Sequence, residues 1–280
     1  MFAVIGGSQA HRLLGSATRL GPAATPYGPS QPLYRLGDVL FLPRHGERGY
    51  DVAASFVNYR ANIYALREAG ATRLLAWSGP GSLEPDWRPG EFVLPDDLID
   101  ETRRRESTFF AGTGLGFVRQ NPVFCPELRA TIAQALAGLG LPVRDGGVYV
   151  CTEGPRLETP AEIRKFRSFG ANLVGMTLAP EVFLARELEM CYAPLCYITN
   201  LAEGMSSRPF RSGELFAGLL DEDGRSAVEA ATAKFPEIVS AVSARVTEDR
   251  ACPCAHLMDR YRREGRIGPD WHTWLGATPR

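Results

Sequence analysis

The first half of the chain repeats one pattern: a short apolar run that stops at glycine or in a polar loop. "FAVIGG" (residues 2–7), "GDVLFLPRHG" (37–46), "TRLLAWSGPGSL" (72–83), "EFVLPDDLID" (91–100) and "GGVYVCTEGPR" (146–156) all have this form. Runs of that length predict short buried strands ending in tight turns. Between them lie stretches with helical spacing. "VNYRANIYALREAGA" (57–71) is amphipathic and stops at Gly70, and "PELRATIAQALAGLGL" (126–141) is a second helix. Strands alternating with helices predict an α/β domain with a largely parallel sheet. Ligands in such folds bind beyond the carboxyl ends of the strands. The loops there hold Ser8, Arg44, His45, Ser78, Gly79 and Glu158.

Charge and hydropathy exclude other classes. A net charge of -1 argues against an electrostatic nucleic-acid binder. The apolar runs fall short of the roughly 18 residues that span a bilayer. "MFAVIGGSQAHRLLG" has no basic stretch ahead of a long apolar one, so no secretory signal is expected. A soluble, cytoplasmic protein with no nucleic-acid or membrane partner is the expectation. Of six cysteines, Cys125, Cys151, Cys191 and Cys196 sit among apolar neighbours and read as buried thiols. Cys252, Cys254 and His256 form the tight "CPCAH". A structural zinc site wants four ligands, and no partner cluster is visible at the spacing of such sites. No metal is expected there, and a local redox pair or plain thiols are the alternatives.

"EGPRLETPAEIRKFRSFGANLVGMTLAPE" (153–181) is the most informative single stretch. Thr159 with Glu162 three residues on makes a capping box, and Pro160 suits the first helical position. The helix should run to Gly170, which leaves Glu158 in the loop before it. Glu158 either points over the end of the sheet or serves the helix dipole. Thr177 precedes "LAPEVFLARELEM", where Pro180 and Glu181 mark another helix start. Its hydroxyl either caps that helix or faces an anion at its N-terminus. Arg44 offers a fork for phosphate or carboxylate. Ser8 follows Gly6 and Gly7, which permit close backbone approach. Neither G-x-G-x-x-G nor G-x-x-x-x-G-K-[ST] occurs, so no dinucleotide fingerprint or P-loop is present. Phosphate-competent groups on several strand-end loops fit an inorganic phosphate site. Residues 205–225 read as a polar, partly mobile segment, and the last 30 or so as a helix and tail packed on the body.

"VIGGS", "TPYGPS", "LPRHG", "VNYRANIYAL", "PGSL", "EGPRLETPAEIR", "GANLVGMTLAPEVFLAREL", "CYAPLCYITNLAEGM" and the late "CPC" occur in one order along the chain. As a set they resemble the trimeric purine nucleoside phosphorylases, in the branch of methylthioadenosine and methylthioinosine phosphorylases. The resemblance covers roughly residues 2–205 and fades towards 256. It implies a single α/β domain with a twisted mixed sheet flanked by helices, taken as residues 1–250, with 251–280 a C-terminal extension packed on it. It also implies a homotrimer or a dimer of trimers, and a pentosyltransferase of purine salvage. That enzyme cleaves a purine nucleoside with inorganic phosphate as co-substrate and no other cofactor. By the same resemblance, Ser8, Arg44, His45, Ser78, Gly79 and Thr177 hold phosphate. Met176, Gly175, Val174, Leu157 and Thr199 line the nucleoside pocket, joined by Phe117, which could come from a neighbouring subunit. Glu158 and Asn200 face the purine and stabilise it as it leaves.

Those two residues bear on substrate class. In methylthioadenosine phosphorylases the position of Asn200 resembles an aspartate, and that of Glu158 is usually not acidic. Glu158 with Asn200 resembles the 6-oxopurine enzymes, so inosine, guanosine or 5′-methylthioinosine is favoured over methylthioadenosine. Gln9 stands where the family usually has glycine. Gly49 and Ala53 stand in a segment that usually carries histidine and proline. A purine- or phosphate-binding relative with little turnover is the remaining alternative.

Overall fold

The computed structural model describes residues 1–7, 15, 17–206, 213, 215 and 219–275. Ser8 and Gln9, and residues 207–212 of the segment expected to be mobile, lie outside the described residues. The chain begins with β1 (Phe2–Gly6), β2 (Thr18–Thr25), β3 (Gly28–Leu36) and β4 (Val39–Pro43). Next come α1 (Tyr59–Glu68), β5 (Arg73–Ser78), β6 (Gly81–Ser82), β7 (Phe92–Leu94) and β8 (Asp97–Glu101). The middle holds α2 (Pro126–Gly138), β9 (Val143–Asp145), β10 (Val148–Thr152), α3 (Pro160–Ser168), β11 (Leu173–Gly175) and α4 (Leu178–Glu187). β12 (Cys191–Tyr197), β13 (Asn200–Leu201), α5 (Glu222–Ala233), α6 (Phe235–Ser243) and α7 (Asp259–Arg263) complete the order.

The strands form two mixed sheets. The larger runs β2-β3-β4-β1-β5-β12-β7-β9 and the smaller β13-β6-β11-β10-β8. β4, β1, β5 and β12 are parallel neighbours, and β1, β4, β5 and β12 are buried along their whole length. This is why their sequences are continuous apolar runs rather than alternating ones. "EFVLPDDLID" departs from the expected single strand. It is split at Pro95 and Asp96, so that β7 pairs with β12 in the large sheet and β8 with β10 in the small one. The β2–β3 hairpin adds an antiparallel edge with register shifts. Its burial pattern is largely exposed on β2, which leaves little apolar signal.

The helices start and stop where local chemistry dictates. Asn58 caps α1 by accepting from Ala61 N, and Gly70 follows the helix at φ 88°. Thr159 and Glu162 form both halves of the capping box on α3, with Pro160 in its first turn. α1 buries Ile63 and Leu66 completely against the large sheet and α4, each side chain contributing about 1.5–3 kcal/mol. α5 begins at Glu222, inside the stretch expected to be irregular, because Asp221 caps it through Gly224 N at 2.7 Å. From residue 251 on, Met258, Tyr261 and Trp274 join the core around α1 and α4. Cys252 and Cys254 join the cluster on the other face of the large sheet.

Candidate active site

Parallel register brings the strand ends into line. Gly6 is level with Pro43, and Ser78 with Cys196. The residues that follow, Gly7, Arg44, His45, Gly79 and Thr199, therefore share one edge of the large sheet. The small sheet meets that edge through Gly81, Val174, Gly175 and Asn200, with Asn200 paired to Gly81. Between the sheets lies a cavity of about 360 Å³, within the range of small-molecule sites. Arg44, His45, Ser78, Gly79, Leu157, Glu158, Val174, Gly175, Met176, Thr177, Thr199 and Asn200 all line it. Residues from five separate segments thus converge.

One side of the cavity is built of hydroxyls. Ser78 Oγ lies 3.2 Å from Thr177 Oγ1 and 3.3 Å from Tyr149 Oη. Thr177 makes no capping bond to α4, so its hydroxyl serves the cavity and not the helix end. Gly175 is needed beside them, because a Cβ there would sit 2.0 Å from Tyr149 Oη. A Cβ on Gly79 would meet Thr199 Cγ2 at 2.7 Å.

The cationic groups are arranged differently from the expectation. Arg44 is fully buried and its fork is taken: Nε donates to Glu181 Oε2 at 2.6 Å and Nη2 to Oε1 at 2.7 Å. Tyr192 Oη donates to the same carboxylate at 2.7 Å. Burial opposes the charge on Arg44, but Glu181 outweighs it and holds the guanidinium charged. Glu181 lies in the first turn of α4, as its helix-start reading has it, and is also the ion-pair partner of Arg44. Only the N–H groups of Arg44 left over by Glu181 can reach an anion. His45 is neutral near pH 7: burial, then the adjacent Arg44 charge, lower its pKa to about 4. Its Nδ1 lies 2.9 Å from Val52 O. The neutral ring therefore donates there and turns its Nε2 lone pair to whatever faces it. His45 is an acceptor and not a second positive charge.

The opposite side carries a carboxylate and an amide. Glu158 Oε1 accepts from Thr152 Oγ1 at 2.5 Å, and burial raises the pKa of its carboxyl. Asn200 is buried. Its Oδ1 accepts from Thr199 Oγ1 at 2.7 Å, and its Nδ2 donates to Leu201 O at 2.8 Å. The Leu201 carbonyl, which can only accept, fixes which way the amide faces and leaves one Nδ2 hydrogen free of these contacts.

Several residues of the site were not identified in the sequence. Tyr149, Tyr50, Glu203 and Leu219 line the cavity. Arg105 stands behind it, donating to the carbonyls of Met176, Ala179, Thr152 and Glu153 at 2.6–3.0 Å. It ties the strand that leads to Glu158 to the one that carries Met176. In sequence it is one of three successive arginines, with nothing to separate it from a solvated run. Phe117 is the one described residue expected at the site that this cavity does not include. Its ring is 79% exposed, and its backbone N donates to Tyr261 Oη at 2.9 Å.

The profile of the Phosphorylase superfamily matches residues 2–244. The chain belongs to the phosphorylase superfamily, among its purine nucleoside phosphorylases. The probable S-methyl-5′-thioinosine phosphorylase of Methanopyrus kandleri is 42% identical over 84% of this chain and 89% of its own length. The 6-oxopurine nucleoside phosphorylase of Pyrococcus furiosus is 40% identical over 90% and 95%. The S-methyl-5′-thioadenosine phosphorylase of Thermofilum pendens is 39% identical over 84% and 87%. Among solved structures, a methylthioadenosine phosphorylase from an Antarctic soil metagenomic library superposes with a TM-score of 0.78. It is 29% identical, over 91% of this chain and 90% of its own. A phosphorylase needs an anion site beside a nucleoside site, and the cavity offers hydroxyls on one side and a carboxylate–amide pair on the other. The Arg44–Glu181 pair leaves the anion side of this phosphorylase with little net positive charge.

Proposed function

We propose that the protein cleaves 6-oxopurine nucleosides with inorganic phosphate: inosine, guanosine or 5′-methylthioinosine. The observation that carries this reading is the orientation of Asn200. With one Nδ2 hydrogen held by Leu201 O, the other is a donor, suited to N7 or O6 of a 6-oxopurine. Ionised Glu158 complements it by accepting from N1–H. An adenine presents an unprotonated N1 to Glu158 and a 6-amino donor in place of the O6 acceptor, and the buried groups left unpaired give discrimination against it.

In the reaction, a phosphate oxygen forms a bond to C1′ as the bond from C1′ to N9 breaks. The electron pair goes to the purine, and the sugar passes through an oxocarbenium-like state. Ser78, Thr177, Gly79 and the remaining N–H groups of Arg44 are assigned to phosphate, with Ser8 on the resemblance alone. Asn200 stabilises the charge that grows on the base, an interaction stronger in the transition state than in the ground state. Met176, Val174, Gly175 and Leu157 are assigned to the nucleoside. Ala53 and Leu219 add apolar surface to the same cavity, which supports acceptance of a 5′-methylthio group.

The second reading, a methylthioadenosine phosphorylase, is favoured by relatives and solved structures that bear that name. Release of free base from inosine, methylthioinosine and methylthioadenosine, each with and without phosphate, separates the two. Phosphate-dependent cleavage of the 6-oxopurines is expected, and cleavage of methylthioadenosine alone would overturn the assignment of Glu158 and Asn200. Asn200→Asp should lower kcat/KM for inosine roughly 10- to 100-fold, as expected for loss of one buried hydrogen bond, and raise the relative rate on methylthioadenosine. An unchanged preference would remove Asn200 from base recognition.

A further inference from the structure

Four cysteines from three distant parts of the chain meet at one point. Cys125, Cys191, Cys252 and Cys254 are all buried, and their sulfurs lie within 4.8 Å of one another. The closest pair given, Cys191 and Cys252, is 3.3 Å apart. The sequence offered "CPC" without partners; the fold supplies them from the first residue of β12 and the N-cap of α2. We propose that these four sulfurs bind one zinc ion as a closed structural site that fastens the C-terminal segment to the large sheet.

The separations are compatible with a tetrahedral site. Zinc–sulfur bonds of about 2.3 Å in tetrahedral geometry place the sulfurs about 3.8 Å apart. That value lies between the closest separation and the upper bound found here. No protein oxygen or nitrogen is needed to complete the shell, and burial leaves no open position for water, as structural sites require. The chemistry selects the ion: four thiolates favour a soft or borderline d10 divalent cation over magnesium or calcium.

A second observation points the same way. Arg186 is buried, yet among the described residues no carboxylate pairs with it. Nη1 and Nη2 donate only to the carbonyls of Val123 and Arg119, and Nε has no hydrogen-bond partner among the described residues. A buried guanidinium without a counter-charge is costly. Burial lowers its pKa, and the groups whose negative charge would oppose that are these same four cysteines. A zinc tetrathiolate carries a net charge of -2 and supplies the missing partner. The N–H of Leu128 donates to Cys125 Sγ at 3.4 Å, and the positive end of α2 faces the same sulfur. Both support a thiolate. Glu127, the nearby carboxylate, is engaged elsewhere, by Cys252 N at 2.8 Å and Arg73 at 3.8 Å.

Binding is not a redox step. Four thiols release four protons to solvent, and four zinc–sulfur bonds form. Cys191 opens β12, whereas the active-site cavity lies beyond its far end at Tyr197, roughly 20 Å along the strand at about 3.3 Å per residue. The ion therefore acts on stability and not on chemistry.

The test is metal analysis of the full chain, purified under reducing conditions without chelator, with the intact mass measured alongside. One zinc per chain is expected, lost in Cys252→Ser/Cys254→Ser and retained in Cys196→Ser, whose thiol is buried outside the cluster. Zinc content unchanged in the double variant would overturn the proposal. So would an intact mass lower by two or four hydrogens, which means disulfides, or free thiols that take up no zinc when it is added with reductant. Should the double variant not fold, cobalt exchange into the unaltered protein decides. Sulfur-to-cobalt charge transfer with tetrahedral visible bands supports the site, and their absence overturns it. Zinc removal should lower the melting temperature with kcat unchanged.

Discussion

Arg44 shows how a residue can be placed correctly and still play a different part from the one its type suggests. It lines the cavity, but its Nε and one Nη2 hydrogen go to Glu181, and Nη1 donates to Trp77 O at 3.4 Å. Removing it would leave a buried carboxylate unpaired, which costs about 3–5 kcal/mol. Arg44→Ala should therefore lower the melting temperature sharply as well as raise KM for phosphate. Thermal denaturation beside phosphate titration checks this, and a stable variant with only a phosphate defect would show that the ion pair contributes little. The same scale explains what the sequence could reveal. Glu158 and Thr177 were legible because each sits beside a helix start marked by its neighbours, whereas Asn200 came from the resemblance alone. Tyr149 was not, because its hydroxyl meets Ser78 and Thr177, 71 and 28 positions away, only through the pairing of two sheets. Arg105 was hidden for the same reason.

Among the elements, α1 and α3 and the strands around the site could be read locally, since caps, stop glycines and continuous apolar runs are short-range signals. The division of "EFVLPDDLID" between two sheets and the exposed β2–β3 hairpin depend on partners far away in sequence. The last residue of α4 has a further role. Glu187 accepts from Thr108 Oγ1 at 2.6 Å and Phe109 N at 2.7 Å, and so anchors the segment that leads to Phe117. Burial raises its pKa to about 7. The folded state then holds a proton that the unfolded state has lost between about pH 4.5 and 7. This contribution to stability is complete below that window and lost as pH rises through 7. Hydrogen-exchange protection of residues 108–118 should fall from pH 6 to pH 8, and Glu187→Gln should abolish the difference. Equal protection at both values in the unaltered protein would mean the carboxylate is tolerated there.

For the whole molecule, Phe117 is the open question. Phe117 is 79% exposed, and the resemblance assigns it to a neighbour's pocket. We propose a homotrimer in which it does so. Phe117→Ala should then raise KM for nucleoside severalfold with KM for phosphate little changed. Mass measurement in solution should give a trimer for the unaltered chain. A monomer with full activity would end this reading.

A neutral His45 and an Arg44 already neutralised by Glu181 also set how the site responds to its medium. An anion pocket with a surplus of positive charge draws its ligand by long-range attraction, which dissolved ions screen. Here the groups assigned to phosphate are mainly hydroxyls and N–H donors, and the chain as a whole carries a net charge of only -1. Raising potassium chloride should therefore leave KM for phosphate nearly constant, where a strongly cationic pocket would lose affinity steeply. A phosphate KM that climbs steadily with salt would mean that free positive charge reaches the ligand after all. With a KM that stays constant, the site works as well in brine as in dilute buffer, its grip on phosphate independent of the ions around it.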